Sequence, residues 1–196
     1  MGFSITAEGA GQRGREEANP ATGSPEQTIS AWGGYAYVKK VLDLPARPSL
    51  QLGWYGMSGD DPSTPARNEG WDPLFSRWPK WSELTIYSQV PEKGVSYWTN
   101  LGMWQVELLA SPAKSVSLRA TYYSMRAFHP FPGNPKVFGG GKKRGDLYEG
   151  RIDLDFGRRL KGHALVEYLA PGSFYAGRDS ATFVRFELTY QFNQVF

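Results

Sequence analysis

The stretch TFVRFELTYQF, residues 182–192, sorts its side chains strictly by position. Val184, Phe186, Leu188, Tyr190 and Phe192 fall on one face of an extended chain, and Phe183, Arg185, Glu187, Thr189 and Gln191 on the other. Side chains alternate faces along a strand with period two. One face is therefore large and apolar and the other mostly polar. The chain ends four residues later, at Phe196.

The same pattern recurs upstream. Val116, Leu118, Ala120 and Tyr122 oppose Ser117, Arg119, Thr121 and Tyr123, while Tyr148, Gly150, Ile152, Leu154 and Phe156 oppose Glu149, Arg151, Asp153 and Asp155. Leu50, Leu52 and Trp54 oppose Gln51, Gly53 and Tyr55, and Phe3, Ile5 and Ala7 oppose Ser4, Thr6 and Glu8. Eight strands are predicted, at 2–8, 28–40, 49–58, 98–109, 115–127, 146–157, 162–170 and 181–192. The faces of 28–40 (TISAWGGYAYVKK) are not assigned. The connections alternate in length: 9–27, 59–97, 128–145 and 171–180 are the longer ones, and 41–48, 110–114 and 158–161 the shorter. The longer ones concentrate glycine, proline and charge, and 9–27 and 128–145 are expected to be mobile.

Strands that are greasy outside and polar inside, with short turns at one end and long loops at the other, describe an outer-membrane barrel. The expected fold is all-β: an antiparallel up-and-down transmembrane β-barrel, with residues 1–196 forming one domain. No apolar run approaches the roughly 18 residues of a membrane-spanning helix, a limit that does not bear on strands. MGFSITAEG is not a secretory signal, so the chain is expected to be mature or truncated at its N-terminus. The 23 Gly and 14 Pro suit many short strands and turns, and the absence of Cys excludes disulfides and thiolate metal sites. A net charge of +3 is too dispersed to argue a nucleic-acid partner.

Catalytic motifs are weak. GAGQRG (9–14) fits a dinucleotide-binding glycine pattern, but REEANPATGSP follows it where a helix is needed, so a glycine-rich loop is expected. GGGKK (139–143) lacks the rest of a phosphate-binding loop. His129 and His163 have no triad spacing, and Asp60-Asp61 reads as an exposed acidic turn. No enzyme activity, cofactor or metal is expected. The charges on the polar strand faces are the main candidates: Arg119, Arg151, Arg185, Glu149, Asp153 and Glu187, with Asp155 and Glu167 beside them. They form either a salt-bridged ladder or a charged constriction that selects solutes. Trp71, Trp78 and Trp81 crowd one long loop, where they either fold inward or stack on sugars. Trp104, Tyr168, Tyr190 and Phe192 read as lipid-facing.

WDPLFSRWPKWSELTIYSQVPEKGVSYWTNL (71–101), DFGRRLKGHALVEYLAPGSFY (155–175) and the closing FVRFELTYQF resemble the C-terminal part of the alginate export family, outer-membrane β-barrels of Gram-negative bacteria. The resemblance runs from about residue 3 to the end. It implies the C-terminal portion of a barrel of about eighteen strands, a monomer in the outer membrane whose partners are the lipid bilayer and a polar or anionic solute such as a polyuronate. An arginine-lined passage would pair guanidinium groups with sugar carboxylates, at Arg119, Arg151 and Arg185. Glu149, Asp153 and Glu187 stand among them. Two alternatives remain: a narrow eight-stranded anchor barrel without a pore, and a soluble sugar-binding β-sandwich that uses the loop tryptophans.

Overall fold

The eight predicted strands all form, in order, and each hydrogen-bonds to the next. The computed structural model describes residues 2–18, 20–21, 23–74, 81–87, 92–94, 97–157 and 159–192. Its elements are β1 (Phe3–Glu16), β2 (Gln27–Val41), β3 (Ser49–Met57), the two-residue β4 (Arg67–Asn68), a 3₁₀ turn (Leu84–Tyr87), β5 (Leu101–Ala113), β6 (Val116–Arg126), β7 (Lys143–Asp155), β8 (Leu160–Pro171) and β9 (Ala181–Tyr190). The sheet order is β1-β2-β3-β5-β6-β7-β8-β9, all antiparallel. β4 pairs parallel to the start of β2. Among the described residues there is no α-helix.

Two expectations are corrected. The first concerns residues 9–16, which are not a loop: β1 runs on through GAGQRGRE, laddered residue for residue to β2 from Gly9↔Gly34 to Glu16↔Gln27. This removes the glycine-rich loop at 9–14. The second concerns closure. Among the described residues β1 and β9 do not pair, so the sheet is open and is not a closed barrel. The described parts of the connection 58–100 fold back over one face of the sheet and take up space inside its curve. A closed eight-stranded barrel has room for its own side chains and little more.

The core lies between that segment and the sheet. Met103, Tyr123, Leu147 and Leu169 rise from β5, β6, β7 and β8 to meet Trp98, Trp81 and Leu84 of the segment, with Tyr55 and Met57 of β3 at the margin. The connection 127–142, expected to be mobile, buries Phe138 against Phe174 of the connection 172–180. The longer connections thus pack at one end of the sheet. At the other end stand the short ones, 42–48, 114–115 and 156–159. The 114–115 turn is tighter than predicted because β5 continues through a bulge between Ala110 and Ala113, and Pro112 sits in it. A bulge tolerates a residue that has no N–H to donate.

The opposite face is bare and apolar. Phe186 is 80% exposed, Ile5 75% and Leu188 71%, and Phe3, Leu52, Trp104, Val166 and Val184 continue the face across the sheet. Its aromatic residues form bands. Trp54 is paired with Trp104, and one register step on, Tyr122, Tyr148 and Tyr168 are paired in turn, with ring centroids 5.2 and 6.3 Å apart. Near the short turns Tyr190 meets Phe192 at 4.6 Å, and Phe156 is exposed. Between the bands the face is aliphatic: Leu50, Leu108, Leu118, Ile152, Val166 and Val184. In β2 the faces were unreadable because large rings lie on both, Trp32 outward and Tyr35 and Tyr37 inward, with Gly34 and Ala36 between.

Candidate functional site

The covered face carries the charges, arranged in rows by the strand register. Glu107, Thr121, Glu149 and Glu167 are consecutive partners across β5, β6, β7 and β8. One step toward the short turns, Arg119 pairs with Arg151, Arg151 with Leu165, and Leu165 with Arg185. One step further, Asp153 pairs with His163 and His163 with Glu187. All six predicted lumen residues therefore share one face.

The arginines lean mainly toward the outer acidic row. Arg151 donates from Nε and Nη2 to Asp153 Oδ1 at 2.9 and 2.6 Å. Arg185 pairs with Glu187 on its own strand and reaches Glu83 of the folded-back segment at 2.7 Å. Arg119 Nε lies 3.9 Å from Glu107, too far for a hydrogen bond. Each predicted arginine thus has a carboxylate beside it, as in a salt-bridged ladder. Glu149 has no hydrogen bond or ion pair among the described residues, although it directly faces Glu167.

The segment 58–100 is fastened to this face at several points. Glu167, 1% exposed, accepts from Ser82 Oγ at 2.9 Å and from the backbone N–H groups of Glu83 and Leu84 at 3.0 and 2.7 Å. Gln12 of β1 bonds reciprocally to the backbone of Asp72, donating at 2.5 Å and accepting at 2.9 Å. Arg144 of β7 grips Glu92 with both guanidinium nitrogens at 2.7 Å, and both side chains are almost fully buried. Trp71 lies flat on Gly33, where a Cβ would stand 2.9 Å from its ring. Trp81 packs between Tyr55 and Trp98, at 5.7 and 4.7 Å. Trp71 and Trp81 therefore both turn inward, and Trp78 lies outside the described residues.

Beside the segment a cavity of about 530 Å³ remains, bordered by β1, β2, β3 and β5–β8. Contact of one cavity with both Glu8 of β1 and Glu167 of β8 means the sheet curls around it. Tyr35, Tyr37, Tyr55 and Trp81 supply aromatic walls, and Glu8, Glu107, Glu149, Arg119 and Arg151 supply charge. Tyr35 Oη donates to Glu8 at 2.9 Å, and Tyr55 Oη to Gln105 at 2.9 Å. Away from the sheet, Asp61 accepts from the N–H and hydroxyl of Ser63 at 2.9 and 2.8 Å, and the backbone bond above all holds its carboxyl below the usual range. Among the described residues no group of three or more His, Asp or Glu is placed to hold a metal.

Sequence reasoning passed over Glu107, Arg144 and Glu92, and put Glu8 on the polar face without singling it out as a site residue. Gln105 and Glu107 alternate with Trp104, Val106 and Leu108, a signal that could have placed Glu107 on the polar face. Arg144 and Glu92 are far apart in sequence and carry no local signal.

No model of a known protein family matches the chain, and no curated protein matches it significantly.

Proposed function

We propose that this chain is the membrane-embedded sheet of a bacterial outer-membrane barrel and that polar solutes cross passively along its charged face. The bare apolar face carries the proposal. Soluble monomers rarely expose apolar patches beyond a few hundred Å², and here the patch crosses the sheet from Phe3 and Ile5 on β1 to Phe186 and Leu188 on β9. Its aromatic bands have the placement of interfacial girdles. Tyr148 and Phe156 stand eight residues apart, about 26 Å along a strand at ~3.3 Å per residue. Strands of 9 to 15 residues are long enough to cross a bilayer. The resemblance to the alginate export family points the same way, and a pore would require the edges of β1 and β9 to pair in the membrane, with each other or with further strands.

The class of solute this geometry supports is polar. The anionic expectation rests on Arg119, Arg151 and Arg185, each with a carboxylate beside it. The test is conductance of the refolded chain in a planar bilayer under a salt gradient. Channel steps are expected, and Arg119→Glu with Arg185→Glu should move ion preference toward cations. An unchanged reversal potential would remove these arginines from selection. Stable solubility without detergent would sink the membrane reading.

A second reading has its own support. The segment carrying Trp81 and Leu84 packs into the face that would line the passage. A sheet whose inner face is filled in this way would be an anchor without a pore, and the same recordings would then show no steps.

A further inference from the structure

The acid row Glu107–Thr121–Glu149–Glu167 is electrostatically incomplete. Like charges directly opposite in neighbouring strands repel, yet Glu149 faces Glu167. The arginines offset this only in part: Arg119 lies 3.9 Å from Glu107 at one end of the row, whereas Arg151 is engaged by Asp153 and Arg185 by Glu187 and Glu83. Glu167 is occupied by three donors from Ser82, Glu83 and Leu84. Glu149 therefore faces the cavity with no hydrogen-bond donor among the described residues.

A second observation falls beside it. Thr121 stands between Glu107 and Glu149 in the row, is only 4% exposed, and its hydroxyl has no hydrogen-bond partner among the described residues. A buried polar group without a partner costs about 1–3 kcal/mol. Glu149 lines the cavity, as Thr121 beside it does not, and a cation placed there would supply the counter-charge that Glu149 lacks. The acids are not gathered closely enough to hold a metal ion. The cavity instead has the size of a small-molecule site. Its walls include the stacked rings of Tyr35 and Tyr55 and the indole of Trp81. Aromatic faces attract ammonium groups through their quadrupoles, and more strongly when water is excluded.

We propose that this cavity binds an organic cation, a small ammonium-bearing solute, with Glu149 as its counter-charge and Tyr35, Tyr55 and Trp81 as its walls. The proposal deepens the passage described above by naming the charge class of its solute, and it rests on the covered face being open to that solute. Carboxylates lining a cleft concentrate cations at its mouth, so the row would gather such solutes as well as hold them.

The experiment is a titration of the detergent-folded full chain, read by intrinsic tryptophan fluorescence, with choline chloride, sodium glucuronate and maltose at matched ionic strength. Choline is expected to give a saturable change and the other two none. Glu149→Gln, which nearly keeps the side-chain volume, should weaken choline binding at least tenfold while the far-ultraviolet circular dichroism stays unchanged. Should that variant misfold, the ranking of the three probes on the unaltered protein decides alone. Glucuronate binding as well as choline, no saturable response to choline, or an undiminished response in a folded Glu149→Gln would overturn the proposal. Bilayer conductance is read separately: channel steps without choline binding refute this site and leave the passage standing, and choline binding without steps does the reverse.

Discussion

Arg144 and Glu92 offer the most exacting test of how the folded-back segment is held. The guanidinium makes two bonds of 2.7 Å to the carboxylate, with side-chain exposures of 2% and 0%. It also donates to Asn100 O at 3.1 Å, lies near Thr99 O and the Tyr175 hydroxyl, and stacks on Phe174 with its carbon 4.1 Å from the ring centre. Arg144→Met would keep much of the packing and strand a buried carboxylate. Removing one partner of such a buried pair costs about 3–5 kcal/mol. At about 1.4 kcal/mol per decade, the folding equilibrium falls by a factor of roughly a hundred to several thousand. Arg144→Met with Glu92→Leu should recover most of that loss, because a buried ion pair replaced by apolar groups is often neutral. The assay is urea unfolding in detergent micelles, followed by tryptophan fluorescence, on the wild type, both single variants and the double. A single-variant loss below about 1 kcal/mol, the range of an exposed pair, would refute the buried clamp. A double variant as unstable as Arg144→Met would show that packing, not the stranded charge, sets the cost.

Three further outcomes are expected. Glu167→Gln puts an amide N–H₂ group among the donors of Ser82, Glu83 and Leu84, which should cost about 1–3 kcal/mol and shift Trp81 emission to the red as the segment loosens; unchanged emission and stability would discount the clamp. Phe186→Lys on the bare face should destabilise the lipid-inserted protein by up to about 2–4 kcal/mol, measured by urea titration in liposomes, whereas a soluble sandwich would tolerate it. Asp61 has its carboxyl lowered mainly by the Ser63 backbone N–H, so its contribution is present above the unfolded value and lost as pH falls through the folded one. Protection of the Ser63 amide from hydrogen exchange should therefore decline below roughly pH 4, and Asp61→Asn should remove that dependence; equal pH dependence in both proteins would argue against the turn.

The strands were legible wherever a large apolar residue occupied every second position. Phe186, Ile152 and Leu52 each mark an outward position with no help from tertiary context. The second half of β1 failed this test because its outward positions are Gly9, Gly11, Arg13 and Arg15, and its ladder to β2 is a backbone property that side-chain patterning does not report. The charged rows were half legible. Period two put Arg119, Arg151, Arg185, Glu149, Asp153 and Glu187 on one face, but which carboxylate each arginine takes depends on register and on Glu83. The segment 58–100 was the least legible, because its fastenings join residues as far as 102 positions apart. No window of local sequence holds both ends of such a bond.

Those same separations bear on the order in which the molecule is built. Every strand pairing in the sheet proper joins chain neighbours, so hairpins can zip one after another with short searches, β3 and β5 excepted. The bond from Arg185 to Glu83 spans 102 residues, and that from Glu167 to Ser82 spans 85. Closing so long a loop carries an entropic cost that is best met once the intervening strands are already fixed. The segment 58–100 is made early in the chain, yet it cannot reach its last anchor until β9 is in place. The ring of Trp81 would thus report late in refolding, after the backbone signal of the sheet has risen.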